Sequence, residues 1–232
     1  MVTLNREVFE AMGKTYLHED AHWGDDTDVI KTSIEHLLAE GPVRWTDVGC
    51  GPGFHMAEVG KLYSGMKIAG IDFSRSMLKE ARKRCALARV PVALEELDIC
   101  HADLDGGQRL ITLMNNVLGN ICMDGTEPAE TRQTVIRKIA ESLAPGGHFI
   151  LSVYNRERLD LEAYGAKSRV VEGADAARGD LHIEFATGHR TVRYYSHWFT
   201  EEEIRKLLEV ADLKVDLLER RSSRFVIRCR KT

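Results

Sequence analysis

The stretch TDVGCGPGFH, residues 46–55, places three glycines at alternate positions, Gly49, Gly51 and Gly53. Glycine reaches left-handed backbone conformations and lets a ligand come close to the main chain. A glycine loop that leads into a helix also presents free N–H groups and the positive end of the helix dipole. The stretch therefore predicts a binding loop for a nucleotide-like ligand.

Strand and helix patterns alternate around this loop. Apolar runs predict strands at 43–49, 67–72, 92–99, 109–116 and 148–154, with a closing hairpin around 220–223. Helical spacing of apolar residues predicts helices at 27–40, 54–63 and 74–88, another around 135–143, and one after a capping box at Thr200 and Glu203. The alternation is typical of an α/β fold with a doubly wound, mostly parallel sheet and helices on both faces. Ligands of such sheets bind at the carboxyl ends of the strands.

Two segments fall outside this alternation. Residues 1–40 predict two helices joined by a loop, ahead of a main domain at 41–232. Residues 155–199 are interrupted by glycines and contain two short strand patterns, LHIEFA and TVRYYSHWF. We interpret this second segment as a β-rich flap inserted into the domain.

Composition narrows the class of protein. The chain has 232 residues, of which 44% are apolar, enough for one large domain. Its five cysteines include no C-x-x-C pair, which disfavours a zinc site and a disulfide framework. The net charge of −4 weighs against nucleic acid as a partner. No signal-peptide stretch opens the chain and no apolar run approaches a membrane span, so we expect a cytoplasmic protein without a membrane partner or a bound metal.

Two common nucleotide motifs do not fit the glycine loop. A dinucleotide fingerprint would place Phe54 or Met56 at its last, small position, and no G-x-x-x-x-G-K-[ST] sequence is present. The loop instead resembles motif I of class I S-adenosylmethionine-dependent methyltransferases, in which an acid, here Asp47, precedes G-x-G-x-G. The resemblance continues over most of the chain. It implies a Rossmann-like, seven-stranded, mostly parallel sheet.

The resemblance also implies a set of cofactor contacts, which begins with Asp47 and the loop glycines Gly49, Gly51 and Gly53. Asp72 would hold both ribose hydroxyls, because a carboxylate accepts two hydrogen bonds at once. Met77 would pack on adenine, and Asp98 with Ile99 would contact its edge. Asn115 would lie beside the methionine part of the cofactor. For Met77 an ordinary core position, and for Asp98 a solvated turn, remain as alternatives.

The segment NNVLGN, residues 115–120, bears on the acceptor. It lacks the Pro-Pro-aromatic sequence of relatives that methylate base amines or glutamine. It looks more like small-molecule N-methyltransferases of the glycine, sarcosine and amino-sugar kind. Asn116 and Asn120 would then face the substrate, with loop capping as the alternative. Tyr154 would line the acceptor pocket or pack at the end of its strand.

The flap supplies further candidates in RYYSHWF, residues 193–199. Strand alternation puts Arg193, Tyr195 and His197 on one face and Tyr194 on the other, without showing which face roofs the acceptor. His197 is the predicted general base because its ordinary pKa lies near neutrality, with a structural histidine as the alternative. Tyr194 or Tyr195 would orient the acceptor, and Arg193 would hold a substrate carboxylate.

Relatives also fold their N-terminal segment over the cofactor, often with a tyrosine near the sulfonium. This likeness implies that residues 1–40 form a helical lid. It also implies that Tyr16 contacts the cofactor.

These observations predict methyl transfer from S-adenosylmethionine to a small molecule, first of all an amine or amino-acid nitrogen, with S-adenosylhomocysteine as product. Such an enzyme must hold the acceptor in line, exclude water and leave the acceptor's lone pair free. Three alternatives stay open: elimination or cyclisation of the cofactor's aminobutyrate part, RNA methylation, and a non-catalytic binding subunit. The oligomeric state also stays open, a homodimer included.

Overall fold

A computed structural model describes residues 3–12, 26–123, 125–161, 168–170, 175–187 and 190–232. Its centre is a seven-stranded sheet in the order β3-β2-β1-β4-β5-β10-β9. The strands are β1 (Arg44–Val48), β2 (Lys67–Asp72), β3 (Val92–Glu96), β4 (Gln108–Leu113), β5 (Leu143–Tyr154), β9 (Leu213–Arg221) and β10 (Arg224–Lys231). Strands β1 to β5 pair in parallel, and β10 pairs antiparallel with β5 and β9. The predicted α/β fold with a mostly parallel sheet is confirmed.

Helices cover both faces of this sheet. They are α1 (Thr3–Met12), α2 (Thr27–Glu40), α3 (Phe54–Gly60), α4 (Arg75–Leu87), α5 (Pro128–Ser142) and α6 (Glu201–Glu209). The predicted bounds of α2 and β2 are confirmed, and the capping box of Thr200 and Glu203 begins α6. Within the described part of the chain, no helix has the length and apolar character that crossing a membrane requires.

The core lies in two layers because strands buried on both faces carry apolar residues at successive positions. Leu110 and Ile150 face the layer that α2 covers, while Ile111 and Phe149 face the layer that α5 covers. All four side chains are fully buried. The sheet is therefore rigid at its centre, and its strand ends are held at fixed positions.

Strand β4 ends at Leu113, earlier than the predicted 109–116, because the chain then leaves the extended conformation. Asn115 and Asn116 have left-handed φ values of 54° and 59°, which asparagine tolerates better than most residues. The Asn115 N–H donates to Ser152 Oγ at 2.8 Å, and the Asn116 N–H donates to the Ser152 carbonyl at 2.8 Å. A 3-10 turn at Leu118–Asn120 follows. The main chain thus turns out of the sheet while it stays fastened to β5.

A second, three-stranded antiparallel sheet forms within residues 155–199. It consists of β6 (Ser168–Val170), β7 (Asp180–Thr187) and β8 (Arg190–His197), in that order. The two strand patterns noted in the sequence correspond to β7 and β8. Helix α1 packs against β8, so it and the small sheet lie together at the carboxyl edge of the main sheet.

The Asn116 side chain joins the two sheets. Its Nδ2 donates to Ser196 Oγ at 3.1 Å and to the His197 carbonyl at 3.2 Å. Its Oδ1 accepts from the Tyr154 N–H at 3.0 Å. The side chain is fully buried among these partners. Its predicted role at the acceptor is therefore corrected: Asn116 is a structural link.

Replacing Asn116 with alanine should lower the free energy of unfolding by about 2–4 kcal/mol, because several buried hydrogen bonds are lost together. Urea denaturation measures the change. The exposed Thr134 of α5 provides the control, and Thr134→Ala should change stability by about 0.5 kcal/mol or less. Equal stabilities for the two variants would contradict the role given to Asn116.

Candidate functional site

A cavity of about 330 Å³ opens at the carboxyl edge of the main sheet. The segments that follow β1, β2, β3 and β4 form one side of it, and α1 and β8 contribute to the other. Ten of the predicted site residues line it: Gly49, Gly51, Asp72, Met77, Asp98, Ile99, Asn115, Asn120, Tyr154 and Tyr194. The strand ends thus bring together residues that are far apart in the sequence, as expected for this class of sheet.

The glycines of the loop have different tasks. Gly51 has a φ of 51°, and a Cβ placed on it would meet no atom within 4 Å, so this position faces open space in the cavity. Gly53 has a φ of 75°, and its Cβ would lie 2.9 Å from the Cβ of Ala81. Gly53 therefore lets α3 pack closely against α4 and does not line the cavity. This corrects the prediction that Gly53 contacts the cofactor.

Asp72 ends β2 with its carboxylate fixed by backbone groups. Its Oδ2 accepts from the Gly51 N–H and its Oδ1 from the Ser74 N–H, both at 2.9 Å. Burial raises the pKa of Asp72 to about 6, although the two N–H groups favour the ionised form. Each carboxylate oxygen has a further lone pair. Asp72 can therefore accept hydrogen bonds from two neighbouring hydroxyl groups.

Asp47 lies beneath the loop. It is buried, and its Oδ1 accepts from Thr112 Oγ1 at 2.5 Å, while that hydroxyl accepts from Trp45 Nε1 at 2.9 Å. Burial raises the pKa of Asp47 to about 7, with a contribution from the charge of Asp72. Asp47 does not line the cavity. The expected direct contact with the cofactor is corrected: Asp47 positions the loop by linking β1 to β4.

The end of the cavity near β2 and β3 is suited to a flat apolar group. Met77 lines it from the first turn of α4. Phe73, which follows the acid of β2 directly and was missed in the sequence, lines it too and meets the ring of Phe9 edge to face at 5.9 Å. Asp98 lines this end, and its Oδ1 also accepts from the Cys100 N–H at 3.0 Å. Asp98 thus combines the turn role with a place in the cavity.

Among the described residues, the opposite end carries neutral polar side chains and the guanidinium of an arginine. Asn115, Asn120, Tyr154 and Tyr194 line it, and the Oδ1 of Asn120 is buried without a hydrogen-bond partner. Arg224, the first residue of β10, lines it as well. The sequence predicts this arginine only as part of the closing hairpin. Pairing of the hairpin with β5 places residue 224 beside the end of β5, and this register is the signal that could have indicated its place in the cavity.

His197 lies elsewhere. It is buried, with Nδ1 at 2.8 Å from Asp180 Oδ1 and Nε2 at 2.7 Å from Glu203 Oε1. Both ring nitrogens are therefore engaged, and the residue does not line the cavity. The prediction that His197 is the general base is wrong for this arrangement, and its structural alternative is favoured.

Tyr195 and Arg193, which lie on the same face of β8 as His197, also pair with other protein groups. The Tyr195 hydroxyl donates to Asp180 and accepts from Arg132 Nη1, the latter at 2.9 Å. Arg193 is exposed and pairs with Glu184 at 2.7 Å. Neither lines the cavity, which corrects their predicted roles at the acceptor. The opposite face carries Tyr194 into the cavity.

Tyr16 lies outside the described residues. Among the residues that are described, no group of three or more His, Cys, Asp or Glu side chains is placed to hold a metal ion.

Comparisons with known proteins agree with this geometry. Residues 46–147 match the family described as "Methyltransferase domain". The chain is 27% identical over 171 residues to the carboxy-S-adenosyl-L-methionine synthase of Campylobacter fetus, covering 72% of this chain and 68% of that protein. It is 35% identical over 92 residues to the malonyl-[acyl-carrier protein] O-methyltransferase of Legionella pneumophila, covering 36% of this chain and 30% of that protein. This second match thus covers only about a third of the length of the curated relative.

A solved structure extends the comparison to the fold. The amino pentose methyltransferase CalS10 of Micromonospora echinaspora, solved with S-adenosylmethionine bound, superposes with a TM-score of 0.69 at 20% identity. The match covers 94% of this chain and 95% of that one. At this identity the likeness establishes the fold alone.

The two loop glycines give a matched pair of variants. Gly51→Ala should weaken binding of S-adenosylhomocysteine at least about tenfold, or 1.4 kcal/mol, because its Cβ projects into the cavity. Gly53→Ala should lower the free energy of unfolding by about 1–3 kcal/mol through the clash with Ala81. Calorimetry and urea denaturation measure the two effects. Native affinity in Gly51→Ala would refute the close-approach argument.

Binding of S-adenosylhomocysteine should depend on pH through Asp72, whose pKa is about 6. Ribose hydroxyls donate to the ionised carboxylate, so affinity should be steady above pH 6 and fall towards about tenfold per pH unit below it. Calorimetry between pH 5 and 8 measures this step, which should vanish in the weaker-binding variant Asp72→Asn. A step that persists in Asp72→Asn would assign it to another group.

Proposed function

We propose that the chain is a class I S-adenosylmethionine-dependent methyltransferase and that it transfers the methyl group of S-adenosylmethionine to a nitrogen of a small amine or amino acid. The match of residues 46–147 to the methyltransferase-domain family supports the first part of this proposal. The cofactor supplies the methyl electrophile and its leaving group. The chain's own residues have to bind the two molecules, align them and exclude water.

The residues near β1, β2 and β3 fit the cofactor. Asp72 would accept from the ribose hydroxyls with the oxygens that Gly51 and Ser74 already orient. Met77 would pack on adenine, and Asp98 would accept from its amino group. The open space at Gly51 would receive the part of the cofactor that runs towards β4.

Asn120 supports an acceptor that donates a hydrogen bond, as a neutral amine does. Asn120 lines the far end of the cavity, and its amide oxygen is buried without a hydrogen-bond partner. Leaving such a group unpaired costs about 1–3 kcal/mol. A small rotation of the Asn120 side chain would bring this oxygen to the cavity, where an N–H of the acceptor would satisfy it and leave the nitrogen lone pair directed towards the methyl group.

The ionisable groups that line the cavity also favour a nitrogen acceptor. The carboxylates among the described lining residues are Asp72 and Asp98, and both lie at the end near β2 and β3. His55 lines the side formed by the glycine loop, in the first turn of α3. At the far end, burial raises the pKa of the Tyr154 phenol, which keeps it protonated. An amine that binds in its neutral form needs no strong base, whereas an alcohol does.

A second candidate is a reaction in which the cofactor itself is the substrate. The similarity to carboxy-S-adenosyl-L-methionine synthase, which covers 72% of this chain, favours it. In that case the methyl carbon or the aminobutyrate part would be altered, and no methylated acceptor would form.

Calorimetry with S-adenosylmethionine and S-adenosylhomocysteine, followed by mass spectrometry, separates the candidates. The proposal expects the cofactor to bind and stay intact when alone. With glycine, sarcosine or an amino sugar it expects S-adenosylhomocysteine and a product one methyl group heavier. Conversion of the cofactor into another product, with no acceptor methylated, would establish the second candidate. A protein that binds neither molecule would contradict both.

Asn120→Ala should lower kcat/KM for the accepted amine about 10- to 100-fold, which corresponds to about 1.4–2.7 kcal/mol of lost hydrogen bonding. Its affinity for S-adenosylhomocysteine should stay within about twofold of the native value. Steady-state kinetics and calorimetry provide the two readouts, with Thr134→Ala as the control. Equal losses in both readouts would assign Asn120 to the cofactor rather than to the acceptor.

A further inference from the structure

We propose that the outer face of α4 docks on an anionic lipid surface. Its exposed cations, Lys79, Arg82 and Arg89, would contact lipid phosphates. The exposed Leu87 beside them would enter the headgroup layer. We call these four residues together with Leu62 the α4 surface. This proposal goes beyond the proposed function and does not depend on it.

Basic charge is concentrated on α4 and the turn that follows it. Residues 75–89 contain six of the 32 lysines and arginines of the chain and one of its 36 acidic residues. This segment therefore carries a charge of +5 in a chain whose net charge is −4. On α4, Lys79, Arg82 and Ala86 recur at helical spacing, and all three are exposed. Most of the charge thus lies along one outward stripe of the helix.

Neighbouring carboxylates neutralise only part of this charge. Arg75 pairs with Glu96 at 2.6 Å, and Lys83 pairs with Glu80 at 2.7 Å. In the described part of the chain, no carboxylate pairs with any of the three cations of the α4 surface. These cations are therefore available to an anionic partner.

Two exposed leucines adjoin the cations. Leu87, the last residue of α4, is 85% exposed, and Leu62, which follows α3, is 52% exposed. The ends of the two helices meet, because a Cβ placed on Gly60 would lie 2.6 Å from Val90. Leucines beside exposed cations are typical of protein surfaces that enter the headgroup layer of a membrane.

The combination of cations and leucines favours a lipid surface over two other partners. A second copy of the chain, docked through the same face, would bring like charges together. A nucleic acid would contact the cations through its phosphates but would leave Leu87 exposed to water. An anionic membrane has a negative surface above an apolar interior, and it would engage both kinds of side chain.

The apolar part of the α4 surface lies at the sheet edge opposite the cavity. Leu62 precedes β2 and Leu87 precedes β3, whereas the cavity opens at the carboxyl ends of these strands. Docking would therefore leave the cavity open to solution. The sequence predicts no membrane partner because no apolar run could span a bilayer. A contact limited to the headgroup layer needs no such run, so the proposal revises that expectation.

Co-sedimentation with vesicles made of equal parts of phosphatidylglycerol and phosphatidylcholine tests the proposal. The native chain should bind these vesicles but not vesicles of phosphatidylcholine alone. Binding should weaken at least about fivefold when the salt concentration rises from about 0.1 M to about 0.5 M. Lys79→Gln/Arg82→Gln/Arg89→Gln should bind at least about 20-fold more weakly, because each cation near an anionic surface contributes a factor of about five.

A second triple variant provides the matched control. Arg137→Gln/Lys206→Gln/Lys214→Gln removes three exposed cations from α5, α6 and β9 and changes the net charge by the same amount. Its binding should stay within about twofold of the native value. Leu87→Ser should weaken binding about threefold or more without changing the salt dependence. Thermal unfolding with a midpoint close to the native one shows that each variant folds.

Three outcomes would overturn the proposal: no binding to the anionic vesicles, equal losses in the two triple variants, or native binding by Leu87→Ser. If the native chain bound a single-stranded RNA oligonucleotide and not the vesicles, the α4 surface would belong to a nucleic acid and the proposal would be wrong. The vesicle assay needs neither cofactor nor acceptor. A chain that methylates no amine would therefore refute the proposed function and would still report on the α4 surface.

Discussion

The cavity exists because the main chain leaves the sheet through left-handed residues at the ends of two adjacent parallel strands. Gly49 and Gly51 turn the chain out after β1, and Asn115 and Asn116 do so after β4. From there the two connections diverge, since β1 continues towards β2 while β4 continues towards β5. A crevice between them follows from this topology. These two turns keep the crevice open, and the polar groups at the other strand ends can therefore line one common site.

The sequence predicts one of these turns and misses the other for a physical reason. Three alternate glycines can be recognised without a structure, because only glycine takes left-handed conformations at no steric cost. The asparagines follow an apolar run, so strand 109–116 was predicted through them and Asn116 was assigned to the substrate. Left-handed asparagine is a local preference that hydrophobic periodicity does not report. The same limit applies to Asp47, whose partner Thr112 lies on another strand.

In the small sheet, alternation correctly separates the two faces of β8 but cannot identify the one that meets the cavity. Asp180 of β7 and Glu203 of α6 flank His197, and these contacts determine which face of β8 packs against the body. Burial alone would raise the pKa values of both acids, yet their hydrogen bonds with His197 bring them below the ordinary range. These contacts around the buried His197 ring hold one face of β8 against the body, which leaves Tyr194 on the other.

Helix α1 couples the two ends of the cavity. The Asn5 side chain accepts from the Tyr195 N–H at 2.8 Å and donates to the Tyr195 carbonyl at 3.2 Å, as a neighbouring strand would. Five residues later, Glu10 accepts from the Arg75 and Ser76 N–H groups at the start of α4. Burial is the main cause of the raised pKa of Asp72, and the charge of Glu10 raises it further. The placement of α1 therefore contributes to the raised pKa of Asp72 at one end of the cavity, while Asn5 fixes the same helix to β8 at the other.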